Sequence, residues 1–471
     1  MPDSTDSLEQ PDKLPPKIHY AYWFQGFNAA SWQICLGSPM ILFARSLGAP
    51  AVVLGLLAGL APLTSVLQLL VARYAERIGY RNLMLRGWST RVVILIFLVA
   101  LPFATPYIGN SVAVTVLVLV MLVFTISRAI GVCSWLPWLA LIVPKPLRGF
   151  YLSRDRTFIS AATLAALAIS GVVLLQPTLL GYAAVFLLGF IAGAVSLYFL
   201  NRIPEPPATP GMLSSPMPAN NPGVSWLSLL NDSTFVRLMT FSVSVQVVIA
   251  ASGAFTLVFV RERVGLGDGP ILWLTAGASV LGLLALQLFR RRADRLGSKP
   301  LLAFTLGWWV IFFLSWLGLA LNGAKAGAPG LALVAAGLLL MNGFFSSTYD
   351  LALTRLLMNV AGDRPASAQY FALHSVVVSI VTGLSPILWG LLLDNLRGAP
   401  LMLGSLSLSN YAVLFAAQWL LLGGVAIALA RLKEANAQPF RRVAYNALLR
   451  APAHLIVSMA PALARLIRRI P

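Results

Sequence analysis

The chain has 471 residues, of which 58% are hydrophobic and only 10% charged, and its mean hydropathy is +0.83. A soluble domain carries about a quarter charged residues, so this composition excludes one and points to a membrane. The formal net charge of +19 would suggest a nucleic-acid partner in a soluble protein, but here the cations sit in short segments between apolar runs, where they report topology.

Residues 1–19 hold Asp3, Asp6, Glu9 and Asp12 among prolines and no apolar stretch, which is not the plan of a cleaved signal peptide. They are expected to form a disordered cytoplasmic tail. Apolar runs long enough for a span of about 20 residues follow near 20–44, 50–72, 88–106, 111–142, 157–176 and 180–201. The stretch NRIPEPPATPGMLSSPMPANNPG (201–223) is too rich in Pro, Ser and Asn to bury anything, and a cytoplasmic linker is expected over 202–233. Six more runs lie near 234–260, 270–289, 300–322, 328–357, 370–393 and 409–431. The expected fold is an all-α polytopic membrane protein with twelve transmembrane helices in two six-helix bundles, 20–201 and 234–432. A tail, 433–471, alternates apolar residues with Arg441, Arg442, Arg450, Arg465, Arg468 and Arg469 and is broken by Pro452 and Pro461; it should lie along anionic lipid.

Lys and Arg set the orientation. With the N-terminus inside, 28 fall on the cytoplasmic side, Arg91 counted among the loop after span two, against five outside: Arg45, Arg261, Arg263, Lys325 and Arg397. Both termini are expected in the cytoplasm and the protein in the cell's inner membrane. Cys35 and Cys133 lie inside apolar segments, and His19, His374 and His454 are scattered. No metal spacing, nucleophile elbow or phosphate loop is present in the sequence, so neither an enzyme nor a cofactor is expected.

Two loops match in pattern, ARYAERIGYR (72–81) and RRRADRLGSK (290–299). Glu76, Arg77 and Gly79 correspond to Asp294, Arg295 and Gly297, each pair 218 positions apart, and Arg81 closes the first copy. A carboxylate can cap a helix N-terminus, an arginine can pair, and glycine permits a tight reversal. On these residues the chain resembles the major facilitator superfamily over 20–432, whose loops carry G-x-x-x-D-R-x-G-R-[RK]; Ala72 and Arg290 replace the first glycine, and Glu76 replaces the aspartate. R-G-x-Y at 148–151 is similar to the loop after helix four in that family, with Tyr370 in the matching region of the second half. The resemblance implies alternating access between two bundles, with the duplicated loop stabilising one state of the cycle.

A charge inside a bilayer costs at least about 2.5 kcal/mol, so ionisable residues within spans mark pathways by default. Arg128 lies in span four and Asp350 in span ten, and 218 residues before Asp350 is Val132, one turn beyond Arg128. The resemblance places helices four and ten on opposite sides of a central cavity. Arg128 would then hold an anionic or polar solute and Asp350 would couple a proton or cation; the plainer readings are a structural ion pair and snorkelling to an interface. Gln25, Asn28 and Trp32 share one face of span one; Ser242, Gln246 and Ser252 lie on span seven, and Asn28 plus 218 is Gln246. These line a cavity or bridge helices as polar glue. Asn342, Ser346 and Asp350 form a stripe at intervals of four. His374 reads as an interfacial histidine, Trp135 and Trp138 as packing or interface anchors, and Gly383 and Pro386 as sites of bending and close packing. The function expected is transport of a small organic solute by a monomer in the lipid bilayer, with protons as the second partner and no nucleic acid. The alternative is an accessory or assembly factor with a transporter fold that moves nothing.

Overall fold

The computed structural model describes residues 14–144, 147–204, 228–289, 296–321, 329–361, 367–397, 401–403, 406–432 and 434. Most of both tails and of the linker lie outside these. The first half contains α1 (His19–Leu36), α2 (Ser38–Ser46), α3 (Ala51–Ser65), α4 (Leu67–Ile78), α5 (Tyr80–Ile108), α6 (Asn110–Val132), α7 (Trp135–Ile142), α8 (Arg148–Val173) and α9 (Leu179–Asn201). The second contains α10 (Ser233–Ile249), α11 (Ser252–Phe259), α12 (Asp268–Phe289), α13 (Ser298–Leu321), α14 (Pro329–Ala361), α15 (Ser367–Asn395) and α16 (Asn410–Arg431). A small antiparallel hairpin, β1 (Leu401–Leu403) and β2 (Leu406–Leu408), precedes α16.

Eleven helices among the described residues are long and apolar enough to cross a membrane. The remaining expected span is α1 and α2, broken at Gly37, after which Pro39 sits in the first turn of α2, where its missing N–H costs nothing. Gln25, Asn28, Ser31 and Gln33 make α1 too polar to count among those eleven. Other expected spans are also interrupted, α3 from α4 after Pro62, α6 from α7 at Cys133 and Ser134, and α10 from α11 at Ala250 and Ala251. A broken helix frees carbonyls that lipid cannot satisfy, so neighbouring helices must. At the end of α10 they do. The Val247 carbonyl accepts from Ser385 Oγ (2.8 Å) and Trp389 Nε1 (2.7 Å) of α15, and the Val248 carbonyl from Gln418 Nε2 (3.0 Å) of α16.

Two spans start well before their expected limits. Helix α5 begins at Tyr80 and α8 at Arg148, because their polar first turns escape a hydropathy window although the backbone is already helical. Arg91, counted with the loop cations although it already lies inside the expected run 88–106, belongs to the membrane-spanning helix α5. The excess of cytoplasmic cations is barely altered by it.

The chain packs as two units, residues 1–48 with 64–217 and residues 49–63 with 218–471. In the first, α1 packs on α8 and α9 and α5 on α6 and α9, around Phe24, Trp88, Trp138 and Tyr151. Trp135 and Trp138 are buried there, and Trp138 Nε1 donates to the Pro204 carbonyl (3.2 Å), so both serve packing. In the second, α12 and α13 pack on α14, and α10 and α13 on α16. Residues 51–63 of α3 lie against α15 so closely that a Cβ at Gly59 would strike the Gly383 carbonyl, which fits the close packing expected of Gly383. The Asp394 carboxylate, at the end of α15, accepts from the N–H groups of Ala51 (2.9 Å) and Val52 (2.8 Å) and caps α3.

The repeat is visible in backbone detail. Gly79 and Gly297 adopt φ of +88° and +91°, each immediately before a helix. Two residues on, Arg81 Nη2 donates to the Asn201 carbonyl (2.7 Å) and Oδ1 (3.0 Å) at the end of α9. Its counterpart Lys299 donates through Nζ to the carbonyls of Leu432 (2.6 Å) and Ala430 (3.1 Å) at the end of α16. In each half a cation at the start of the third helix holds the negative end of the sixth.

Candidate solute-binding residues

Three helices of the first unit each contribute one aromatic and one polar side chain at helical spacing. Helix α1 supplies Asn28 and Trp32, α5 supplies Trp88 and Arg91, and α6 supplies Phe124 and Arg128. Arg91 is 1% exposed, and its Nη1 donates to Asn28 Oδ1 at 2.6 Å. Its guanidinium lies over Phe124 (4.6 Å to the ring centre) and near Trp88 (5.4 Å). Arg128 is half-buried and sits 4.1 Å over the Trp32 ring, which stacks in turn on Phe124 with centroids 6.5 Å apart. Cation–π contact contributes roughly 0.5–2 kcal/mol per pair and explains how the bundle tolerates two cations. It does not neutralise them. Neither arginine has an ion-pair partner among the described residues, and Arg91 Nη2 has no hydrogen-bond partner.

Gln25, one turn before Asn28, is turned to a different task. Its amide faces the carboxylate of Asp155 on α8, a residue 6% exposed whose Oδ1 has no hydrogen-bond partner among the described residues. Tyr22 stacks beside it on Tyr151 (4.9 Å) and Phe158 (5.6 Å), so this is the α1 and α8 contact.

In the second unit Gln246 of α10 meets Tyr349 of α14, whose ring lies 5.1 Å from that of Trp309. Asp350 follows on α14; it is exposed and makes no hydrogen bond or ion pair with a described residue. Asn342 and Ser346 lie on the same helix and are half-buried. Arg128 belongs to the first unit and Asp350 to the second. His374 does not stand free at an interface; it is 6% exposed, and its Nε2 lies 3.0 Å from Ser242 Oγ. Ser252 Oγ is taken by the Ile249 carbonyl at 2.8 Å. Of the loop motif, Gly79, Arg81 and Gly297 are described above, whereas Asp294, Arg295 and the side chains of Glu76 and Arg77 lie outside the described residues.

Sequence reasoning missed Arg91 and Asp155. A signal for the first existed: Gly79 marks the start of α5, and the eleven residues from Tyr80 to Arg91 at about 1.5 Å each carry the arginine roughly 16 Å along the helix, well past its polar first turns. A cavity of about 400 Å³ lies between α10 and α15, lined by Val247, Val381, Leu384, Leu388 and Leu392. The polar atoms of Ser385 and Trp389 at its wall are already committed to the Val247 carbonyl. It suits hydrocarbon, and no polar candidate lines it.

No protein-family model matches the sequence, and neither does any curated protein. Solved structures do. The nucleoside transporter NupG is similar at a TM-score of 0.64 and 12% identity, over 89% of this chain and 99% of that one. A D-xylose–proton symporter matches at 0.62 and 16%, over 89% and 96%. A bacterial homologue of the iron transporter ferroportin, in an inward-facing state, matches at 0.62 and 14%, over 88% and 98%. Such identities carry architecture and leave cargo open, and the near-complete coverage of each neighbour leaves little room for another topology. Together with the membrane-spanning helices and the 218-residue repeat, they show that this multi-pass membrane protein has the fold of the major facilitator superfamily.

Proposed function

We propose that the chain moves a small organic solute across the cell's inner membrane by alternating access, as a monomer with both termini in the cytoplasm. The observation that carries this reading is the polar cluster of Asn28, Trp32, Arg91 and Arg128 inside membrane-spanning helices, where an uncompensated cation is retained only for use. The neighbours lend support from their own cargoes, since a nucleoside, a sugar with a proton and iron are all handled on this fold. In this reading the two bundles, 20–201 and 234–432, alternate access by rocking. Arg128, Asn28 and Trp32 of the first and Gln246, Asn342 and Ser346 of the second are the residues assigned to the solute. Asp350, a carboxylate without a described partner, takes up and releases a proton or cation as the site alternates. The loops around Glu76, Arg77, Asp294 and Arg295 hold one state of the cycle.

The test is flux in proteoliposomes with and without a pH gradient. Arg128→Ala should abolish uptake, and Asp350→Asn should leave exchange intact while removing the response to the gradient. Undiminished, gradient-driven flux in both variants would sink the residue assignment.

A further inference from the structure

The cluster in the first unit has a charge that nothing in it balances. Arg91 stands over Phe124 and Arg128 over Trp32, two rings stacked 6.5 Å apart, so the two cations are neighbours, the first buried and the second half-buried. Asn28 offers Arg91 one neutral oxygen, and the rings of Trp32, Trp88 and Phe124 offer their faces. All of these ease a cation, but none brings a negative charge. The Asp155 carboxylate of α8 faces Gln25, one turn from Asn28. The free Nη2 of Arg91, 1% exposed as a residue, is a donor that water in the hydrocarbon region would rarely reach.

We infer that Arg91 and Arg128 jointly bind the headgroup of an organic anion, a carboxylate or phosphate type on an apolar body. This rests on the transport reading above and narrows its solute to one class. Two planar guanidiniums suit the paired oxygens of such a headgroup, because each can present two parallel N–H donors to it. Arg91, fixed by Asn28 and by Phe124, is the preorganised half of the site; Arg128, half-buried on Trp32, is the half that meets the ligand on entry. Trp32 and Phe124 form an aromatic wall beside the charges, which favours a headgroup carrying an apolar or aromatic body over a bare inorganic ion. An ammonium ligand is excluded from this place by repulsion from both arginines.

Binding of benzoate and phenyl phosphate to the purified full chain, followed by calorimetry, tests this against benzyl alcohol, benzylammonium and inorganic phosphate. At least one of the two aromatic anions should bind tenfold or more tighter than all three comparison compounds, and both Arg91→Gln and Arg128→Gln should weaken that anion tenfold or more. Arg128→Lys, which keeps the charge but not the planar fork, should fall between wild type and Arg128→Gln. Should Arg91→Gln fail to fold, Arg128→Gln and Arg128→Lys decide alone. Equal or tighter binding of the alcohol or the ammonium, preference for inorganic phosphate, no binding of either aromatic anion, or wild-type affinity in Arg128→Gln would each overturn the assignment. Flux measured in parallel separates the two readings. Anion binding without any flux removes transport and leaves the site; flux of another solute, indifferent to both arginines, removes the site and leaves transport.

Discussion

The two halves of this protein keep the same scaffold but differ at the positions that would meet a solute. Gly79 and Gly297 share a positive φ, and Arg81 and Lys299 perform the same service at the ends of α9 and α16. At the same 218-residue offset Asn28 becomes Gln246, Arg91 becomes Trp309, Arg128 becomes Ser346 and Val132 becomes Asp350. The first half therefore concentrates cations on aromatic faces, and the second carries a lone carboxylate beside Tyr349 and Gln246. Backbone geometry constrains a turn or a helix end identically in both copies. No such constraint acts on a side chain whose partner is a ligand, so those positions are free to specialise.

The sharpest way to break the comparison is to erase the charge that distinguishes the halves. Arg91→Met keeps length and apolar packing but removes the guanidinium. Flux should fall by about 100-fold or more, equivalent to roughly 2.7 kcal/mol. Thermal unfolding in detergent should be unchanged or shifted upward, since a buried cation is no longer held away from water. Loss of folding in step with loss of flux would make Arg91 structural and the asymmetry between halves incidental.

Next in size is the contact of α3 with α15. Because a side chain at Gly383 would drive into Leu63 and the Gly59 carbonyl, Gly383→Val should cost about 1–3 kcal/mol of stability. Gly307→Ala in α13, where a Cβ meets open space, should be neutral or stabilise by about 0.5–1 kcal/mol. Similar melting temperatures for the two variants would show that the close approach does not hold these helices.

A finer test concerns the turns that the halves share. Gly79→Ala and Gly297→Ala force an L side chain into φ near +90°, at roughly 1–2 kcal/mol each. The costs should match, measured as shifts in thermal unfolding, because the two glycines hold nearly the same φ immediately before a helix. A large difference would mean that the two turns are alike in angle only.

Most of the fold was legible because apolar length is a local property. Ten expected spans begin within three residues of the helices observed, and the exceptions, α5 and α8, begin with polar turns such as YRNLMLRGWSTR. The breaks at Cys133 and Ala250 were not legible, since a run of apolar residues reads the same whether its helix is whole or interrupted. What closes the second break, Ser385, Trp389 and Gln418, comes from more than 130 residues away. The site was half-legible for the same reason. Asn28, Trp32 and Arg128 stand out as polar or aromatic residues in apolar runs, whereas Arg91 follows Arg81 and Arg86 and looks like the last cation of a loop. Only the contacts with Asn28 on α1 and Phe124 on α6 reveal it as interior.

The smallest effect expected, and the one that most closely weighs the repeat, comes from the cations at the helix ends. Arg81→Met and Lys299→Met should each cost about 0.3–1 kcal/mol, the range for a cation at a helix C-terminus, read as small shifts in thermal unfolding. The two sites differ in a way that makes the pair informative. Lys299 also offers its backbone N–H to Glu434 (2.6 Å), next to Ser298 (2.9 Å), so the start of α13 is capped by a carboxylate whichever side chain follows. Lys299→Met leaves that cap in place and removes only the bonds to Leu432 and Ala430. Equal losses in the two variants mean that helix-end electrostatics carry the contact in both halves. A clearly larger loss at Lys299 would mean that the ammonium also steadies Glu434, and that the second half has added a link at its C-terminal end that the described residues of the first half do without.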